Sequence, residues 1–446
     1  MRNLLRWSAV LTATLLVLAA CTSQSPSPSG STASGGSGGP AASGADATAI
    51  CAADKKGCVE IAAGDPIRLA SANSFSGPTI ALGSDVEYGV EIAIADRGQM
   101  FGRDVQVVRQ DAGCAKAEDG QTAAQAIVAD ATIVAVIGTT CSRTAVPAMP
   151  ILSQAGLTMI SASNTAPSLT NPDKPDFGGP FYFRTAYNDN VQGAAVAKFA
   201  CEVLHAKSAA TVHDGSPYAE QLQQVFVDQF KSQCGGTITL QTAIQIGDKD
   251  FKPVLTNVCK DHPDVFFYPI FDPEGPTMTL QTQDVPSCAG VKLIGADGIK
   301  DDGFVSVAGT LAEKLGMYFS GPDLNFGGKY DTDFLPKYRA LSGTKNPIAP
   351  YHAHGFDAAN ILMDAIAKVG VQDANGVLWV PKDALRQYVA ALKDYPGLTG
   401  TLTCNQYGDC GSSFVSIAQL KGGKPASGST PAVAPVYTSV FSTRPS

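Results

Sequence analysis

Cys141, Ser142 and Arg143 stand side by side in "TTCSRT" (139–144), directly after the apolar run "IVAVIG" at 133–138. A thiol, a hydroxyl and a guanidinium at one strand tip have two chemical uses. They serve as a nucleophile beside a base, or as a receptor for an anion through hydroxyl and N–H groups. The nucleophilic use needs a histidine nearby, and at the polar tips of this chain only His213 stands in such a place. Two further tips in the first half, "SFSGP" (74–78) and "SASNTAP" (161–167), also offer hydroxyls and free N–H groups, which suit a carboxylate. In the second half, "HDGSPY" (213–218), "FDPEG" (271–275) and "ADG" (296–298) offer Tyr218, Phe271, Asp272 and Asp297. These suit an ammonium group with an apolar or aromatic flank. The two sets match the two ends of an amino acid, although Ser, Asn, Asp and Gly are also what loops and helix caps need. A serine-hydrolase pattern, G-x-S-x-G, occurs at Gly35 to Gly39, but no strand or helix pattern flanks it, so it reads as an accident of composition.

The elements that must hold these tips alternate in type. "IRLASA" (67–72), "DVQVVRQDAG" (104–113), "IVAVIG" and "LTMISAS" (157–163) read as strands. Between them lie helix patterns: "SDVEYGVEIAIAD", with Val86, Val90 and Ala93 on one face, then "AEDGQTAAQAIVAD" and "AVPAMPILSQAG". After "GPFYFRTAYNDN" the alternation resumes with helix "VQGAAVAKFACEVL", strand "SAATVHD", helix "YAEQLQQVFVDQF" and strand "TITLQTAI", and continues to strand "VKLIGADG". Two helical segments, "YDTDFLPKYRALSG" and "YHAHGFDAANILMDAIAKVG", precede a strand-rich tail. Strict alternation predicts α/β architecture with parallel sheets covered on both faces, and ligands at the carboxyl ends of the strands.

The chain starts as an export signal: Arg2 and Arg6, an apolar stretch from Ala9, then Leu18-Ala19-Ala20 before Cys21. Residues 21–58 begin as a Ser/Gly/Pro stretch too poor in apolar bulk to fold, expected to be a flexible tether. About 390 residues then remain, more than one core usually holds, so two lobes are expected. The net charge is -8, and without the two signal arginines 30 basic residues face 40 acidic ones, which argues against a nucleic-acid partner. No later apolar run is long enough to span a bilayer.

Eleven cysteines become ten once Cys21 is set aside, and an even number in an exported chain reads as disulfides. Connectivity is open from sequence; pairing neighbours would join Cys51 with Cys58, Cys114 with Cys141, Cys201 with Cys234, Cys259 with Cys288, and Cys404 with Cys410. Neither C-x-x-C nor H-E-x-x-H occurs, so no metal and no cofactor are expected. His352 and His354 in "YHAHGFD" have a partnerless spacing and read as helix surface or hinge.

The tips and their surroundings, "SFSGPTIALG", "QDAGC", "VIGTTCSRTAVPA", "MISASNTAPSLT", "FRTAYNDNVQG", "HDGSPYAEQL", "YPIFDPEG", "IGADG" and "LTGTLTCNQYGD", follow one another in an order that resembles a known family from about Ile67 onward. It is the leucine/isoleucine/valine-binding family of type I periplasmic binding proteins, the substrate-binding lipoproteins of branched-chain amino acid ABC transporters. The resemblance implies two Rossmann-like doubly wound lobes joined by a three-crossing hinge. Crossings near Tyr187, Ser320 and Leu398 divide the chain into lobe 1 (59–187 and 321–398) and lobe 2 (188–320 and 399–446).

By the same resemblance, Ser142 holds an α-carboxylate through hydroxyl and N–H, Ser163 offers its carbonyl, and Thr165 its hydroxyl and N–H. Asp297 takes the ammonium where the family often has glutamate, Tyr218 and Phe271 are the second lobe's aromatic contacts, and Asp189 is an acid near the first crossing. A first-lobe disulfide joins Cys114 and Cys141, which would remove Cys141 as a nucleophile. Leu82 stands where some relatives carry an aromatic ring. Arg143 replaces a small polar residue and is expected in solvent; an inward Arg143 would favour a ligand with a second anionic group. The implied function is non-enzymatic: a monomer, lipidated at Cys21 on the outer face of the cell membrane after removal of residues 1–20, passes an amino-acid-like ligand to an ABC permease and its ATPase. Alternatives are a binding protein for an amide, urea or aromatic acid feeding an importer or sensory receptor, and, remotely, a serine hydrolase.

Overall fold

The computed structural model describes residues 44–422 and 436–444. The expected signal peptide 1–20, Cys21 and the tether up to residue 43 lie outside the described residues, as do 423–435 and the last two positions. No helix among the described residues is long and apolar enough to cross a membrane.

The first lobe is built on five parallel strands in the order Val105–Asp111, Ile67–Asn73, Ile133–Gly138, Met159–Ser161, Tyr182–Arg184. Ile133–Gly138 lies at its centre and is buried at every position, which explains why its sequence shows an unbroken apolar run instead of alternation. Helices Ile80–Arg97 and His352–Val369 cover one face, through Val86, Val90, Ile361 and Leu362. Helices Ala117–Ala129 and Ser142–Ala155 cover the other, through Ala123, Ile127, Ala148 and Leu152.

The second lobe has seven strands in the order Val436–Ser442, Val415–Lys421, Tyr318–Pro322, Lys292–Gly295, Val265–Tyr268, Ser208–His213, Thr237–Ala243. The last five in that order are parallel, and the first two are antiparallel additions at one edge. Helices Asp189–Glu202 and Pro217–Cys234 bury Val196, Phe199, Leu222 and Phe226 against one face. Phe304, Val305 and Ala308 of helix Asp302–Leu315 pack on the other.

Two boundaries differ from the sequence-based expectation. The stretch assigned to a tether does not stay irregular to residue 58. Gly44–Ala53 is helical, Asp54 accepts the backbone N–H groups of Asp383 and Ala384 at 3.0 Å, and Cys58–Ile61 pairs antiparallel with Leu378–Pro381. The short strand carries too few residues for a visible pattern, and its partner is over 300 residues away, so composition alone extended the tether across it.

The third crossing also falls later than Leu398. Leu402 and Cys410 pack with Ile137 and Phe183 in the first lobe's core. Arg184 pairs with Asp409, and the chain enters the second sheet only at Val415. Residues 399–410 therefore belong with lobe 1. The other crossings lie between Arg184 and Asp189 and after Pro322.

Disulfides join Cys51–Cys58, Cys114–Cys141, Cys201–Cys234, Cys259–Cys288 and Cys404–Cys410, so every bridge links sequence neighbours. The bridges close loops of 6 to 33 residues, and each holds a local turn or helix end in place.

Candidate functional site

Between the lobes lies a small, nearly filled cleft lined by Leu82, Thr140, Cys141, Ser142, Ser163, Tyr218, Phe271, Asp297 and Tyr351. The first-lobe wall is the turn after Ile133–Gly138. Cys141 is the extended residue before helix Ser142–Ala155, and its carbonyl accepts the N–H groups of Thr144 and Ala145. The disulfide to Cys114 ties that turn to the neighbouring loop. Ser142 thus opens a helix, where free N–H groups and the dipole favour an anion. Its hydroxyl accepts the N–H of Ala166 at 3.3 Å, and Ser163 donates its hydroxyl to the Thr140 carbonyl at 2.8 Å.

The second-lobe wall is centred on Asp297, at the end of strand Lys292–Gly295. Its Oδ1 accepts Gln192 Nε2 at 2.8 Å and the Tyr218 hydroxyl at 2.9 Å, and its Oδ2 accepts the Tyr351 hydroxyl at 2.8 Å. The rings of Tyr218 and Phe271 are 4.9 Å apart, centroid to centroid. Burial pushes the Asp297 carboxyl up, against the pull of those three bonds.

Asp189 and Thr165 stand just behind the lining. Asp189 is fully buried at the start of helix Asp189–Glu202, its N–H bonded to the Thr165 carbonyl at 3.0 Å. No partner lies within ordinary hydrogen-bond geometry of either Asp189 carboxylate oxygen or of Thr165 Oγ1, although the Thr165 hydroxyl is close enough to act on the Asp189 carboxyl. Burial and the Asp297 charge hold the Asp189 carboxyl well above the usual carboxylate range, only partly offset by the nearby Thr165 hydroxyl and Arg184. Unmet acceptors at this depth are costly unless a donor arrives, and an ammonium group would supply several.

Of the residues picked from sequence, Leu82, Ser142, Ser163, Tyr218, Phe271 and Asp297 meet in the cleft, and Asp189 and Thr165 flank it. Arg143 does not line it; the side chain is half-buried rather than free in solvent, with Nε left unpaired. Asp272, offered as an ammonium partner from its strand tip, turns instead toward Asp301. A Cβ placed on Gly303 would lie 2.5 Å from one Asp272 oxygen and 3.1 Å from one of Asp301. His352 and His354 are buried, not on a helix surface.

Two lining residues were missed. Thr140 belongs to the tip already noticed. Tyr351 had one available signal, its place at the start of a strongly apolar helix pattern.

The Asp272–Asp301 pair makes stability depend on pH. Burial, then the Asp301 and Glu274 charges, push Asp272 up to about 9; burial is also the main cause that pushes Asp301 up to about 7. The folded protein therefore holds protons that the unfolded chain releases, so their contribution is full in acid and is lost as pH rises toward about 9. Melting temperature is expected to fall between pH 5 and pH 9, and Asp272→Asn, which cannot ionise, to flatten that fall in scanning calorimetry; an unchanged slope would contradict the pairing.

The family described as periplasmic binding protein matches residues 66–424. The chain belongs to that family and has its type I fold. A Leu/Ile/Val-binding protein of Rhizobium johnstonii is 28% identical over 358 residues, covering 78% of this chain and 90% of the relative. Among solved structures, the branched-chain amino acid transporter substrate-binding protein of Streptococcus pneumoniae, in complex with isoleucine, aligns with TM-score 0.68 at 21% identity over 84% of this chain and 100% of its own. A solute-binding protein of Rhodopseudomonas palustris in complex with 4-hydroxybenzoate aligns with TM-score 0.71 at 15% identity, over 85% of this chain and 97% of its own. Family membership implies a small-molecule ligand and a place of work outside the cytoplasm.

Proposed function

We propose that this chain is an extracytoplasmic solute-binding protein that captures leucine, isoleucine, valine or a related amino acid in the cleft and delivers it to an ABC importer. One observation carries the reading. A helix N-terminus with the Ser142 hydroxyl faces, across one small cleft, a wall centred on the buried carboxyl of Asp297, with the buried Asp189 behind the lining. A zwitterion satisfies both walls at once, and an isolated charge of either sign satisfies only one.

In this reading Ser142 and Thr165 receive the carboxylate, Ser163 contributes its carbonyl, and Asp297 with Asp189 takes the ammonium. Leu82, Phe271 and Tyr218 flank the ligand side chain. Arg143 stands outside the cleft, so nothing about it calls for a second anionic group on the ligand. The names of the curated relatives support the branched-chain choice. Closure is a hinge motion of two lobes, 59–187 with 323–410 and 188–322 with 415–422 and 436–444, which ligand favours by bridging them. Export through residues 1–20, lipid on Cys21 and a monomeric state complete the proposal. Binding without turnover fits the chemistry: Cys141 is held in a disulfide and the Ser142 hydroxyl is bonded to a backbone N–H, so neither has a base.

Mass spectrometry of small molecules released when the purified protein is denatured tests this. A branched-chain or related amino acid is expected; an aromatic acid without an amine would replace the reading with the hydroxybenzoate one.

A further inference from the structure

The first lobe holds a buried acid that lines no part of the cleft. Asp85 is fully buried and lies three residues beyond Leu82 on helix Ile80–Arg97. Its Oδ2 accepts the backbone N–H groups of Tyr351 and His352, each at 2.7 Å. Its Oδ1 accepts the Tyr338 hydroxyl at 2.6 Å, and His352 Nδ1 stands 3.0 Å from Oδ2. The carboxylate therefore satisfies two N–H groups that open helix His352–Val369, at the end where its dipole favours negative charge.

The two helices can approach this closely because both carry glycine at their crossing. A Cβ at Gly89 would sit 1.8 Å from the His352 carbonyl oxygen, and one at Gly355 would sit 2.4 Å from that of Val86. The register of the pair, and hence the reach of Asp85, has no slack.

Tyr351 is where this buried network meets the cleft. Its backbone is held by Asp85, while its hydroxyl crosses to Asp297 Oδ2 at 2.8 Å and stands 3.3 Å from the Tyr187 hydroxyl. We propose that Asp85 is a positioning residue for ligand capture: without touching ligand, it holds Tyr351 where its hydroxyl joins the first lobe to the second lobe's carboxylate. The proposal rests on the cleft being the ligand site. It adds that closure of that cleft is set from behind, by a carboxylate shared between the helices of Leu82 and Tyr351.

A double-mutant cycle tests it, read with L-leucine by calorimetry and, without ligand, by small-angle X-ray scattering. Tyr351→Phe is expected to raise the leucine dissociation constant about tenfold, as for loss of a hydrogen bond to a charged group. Asp85→Asn is expected to do at least as much, and the double variant no more than the larger single one, because both act through one contact. In scattering, each single variant enlarges the ligand-free radius of gyration by a similar amount and the double adds nothing.

Asp85→Asn that lowers only the melting temperature, leaving affinity and radius unchanged, would make Asp85 a simple helix cap and overturn the proposal. So would multiplicative effects in the cycle. Failure of the wild type to bind leucine counts against the ligand reading, and the scattering arm still decides on Asp85. Should Asp85→Asn fail to fold, Tyr338→Phe removes one of its bonds and is expected to shift both readouts in the same direction by less; no shift in either would overturn the proposal as well.

Discussion

Asp297→Ala raises the dissociation constant for L-leucine at least a hundredfold, measured by calorimetric titration. In the cleft Asp297 is the only lining carboxylate, and it faces the Ser142 wall that, on the proposed function, receives the ligand carboxylate. Removing it leaves an ammonium buried against Tyr218 and Tyr351, whose hydroxyls then have lost their acceptor. Breaking a buried charge pair from one side costs about 3–5 kcal/mol, which is a factor of a hundred or more. Leu82→Ala removes apolar contact alone, where a cavity term of about 2–3 kcal/mol is partly recovered by relaxation or by water in a polar cleft. The alanine at 297 must therefore weaken binding more than the alanine at 82. Equal losses would mean that the ammonium is held elsewhere, with Asp189 the first place to look.

Arg184→Met lowers the unfolding free energy by about 3 kcal/mol or more, read from urea denaturation. The guanidinium is fully buried under the first lobe's cleft loop. Nε donates to Asp409 Oδ1 at 2.5 Å, Nη1 to the carbonyls of Asn164 and Ala166 at 3.1 and 2.9 Å, and Nη2 to Thr170 Oγ1 at 2.8 Å. Those two carbonyls bracket Thr165. One cation thus fastens the loop that presents Thr165 and also ties in the 404–410 disulfide turn through Asp409. Methionine fills similar volume and donates nothing, so it leaves two carbonyls and a carboxylate short of partners. Leucine affinity falls with stability in this variant, because the Thr165 loop loses its anchor. A loss under about 1 kcal/mol would show that solvent replaces the guanidinium, as it does at exposed pairs.

How much of this was visible beforehand depends on the range of the interaction that carries it. Ser142 was legible because a buried parallel strand and the polar tip that follows it are contiguous in sequence. Tyr218, Phe271 and Asp297 were legible for the same reason, each closing a strand or opening the next helix. Asp85 was not. Within helix Ile80–Arg97 a mid-helix aspartate reads as a solvent-facing residue, and only the Gly89–Gly355 crossing, more than 260 residues apart in sequence, brings a helix N-terminus over it. Tyr351 and the buried His352 were obscured by the same missing partner. Asp272 failed in the opposite way: its strand tip was placed well, but local sequence carries nothing about which way a loop side chain turns, and Asp301 lies nearly thirty residues on. The tether boundary and the third hinge crossing failed because Cys58–Ile61 and the Asp409 contact are settled by distant strands and side chains, not by local pattern.

Calorimetric titration of the purified, ligand-stripped protein with L-leucine, and in parallel with 4-hydroxybenzoate, tests the central claim most directly. One-to-one binding of leucine with no heat from the aromatic acid is the predicted result, since only the zwitterion matches the Ser142 helix N-terminus and the Asp297 carboxylate together. Binding of 4-hydroxybenzoate with none of leucine, isoleucine or valine would contradict it.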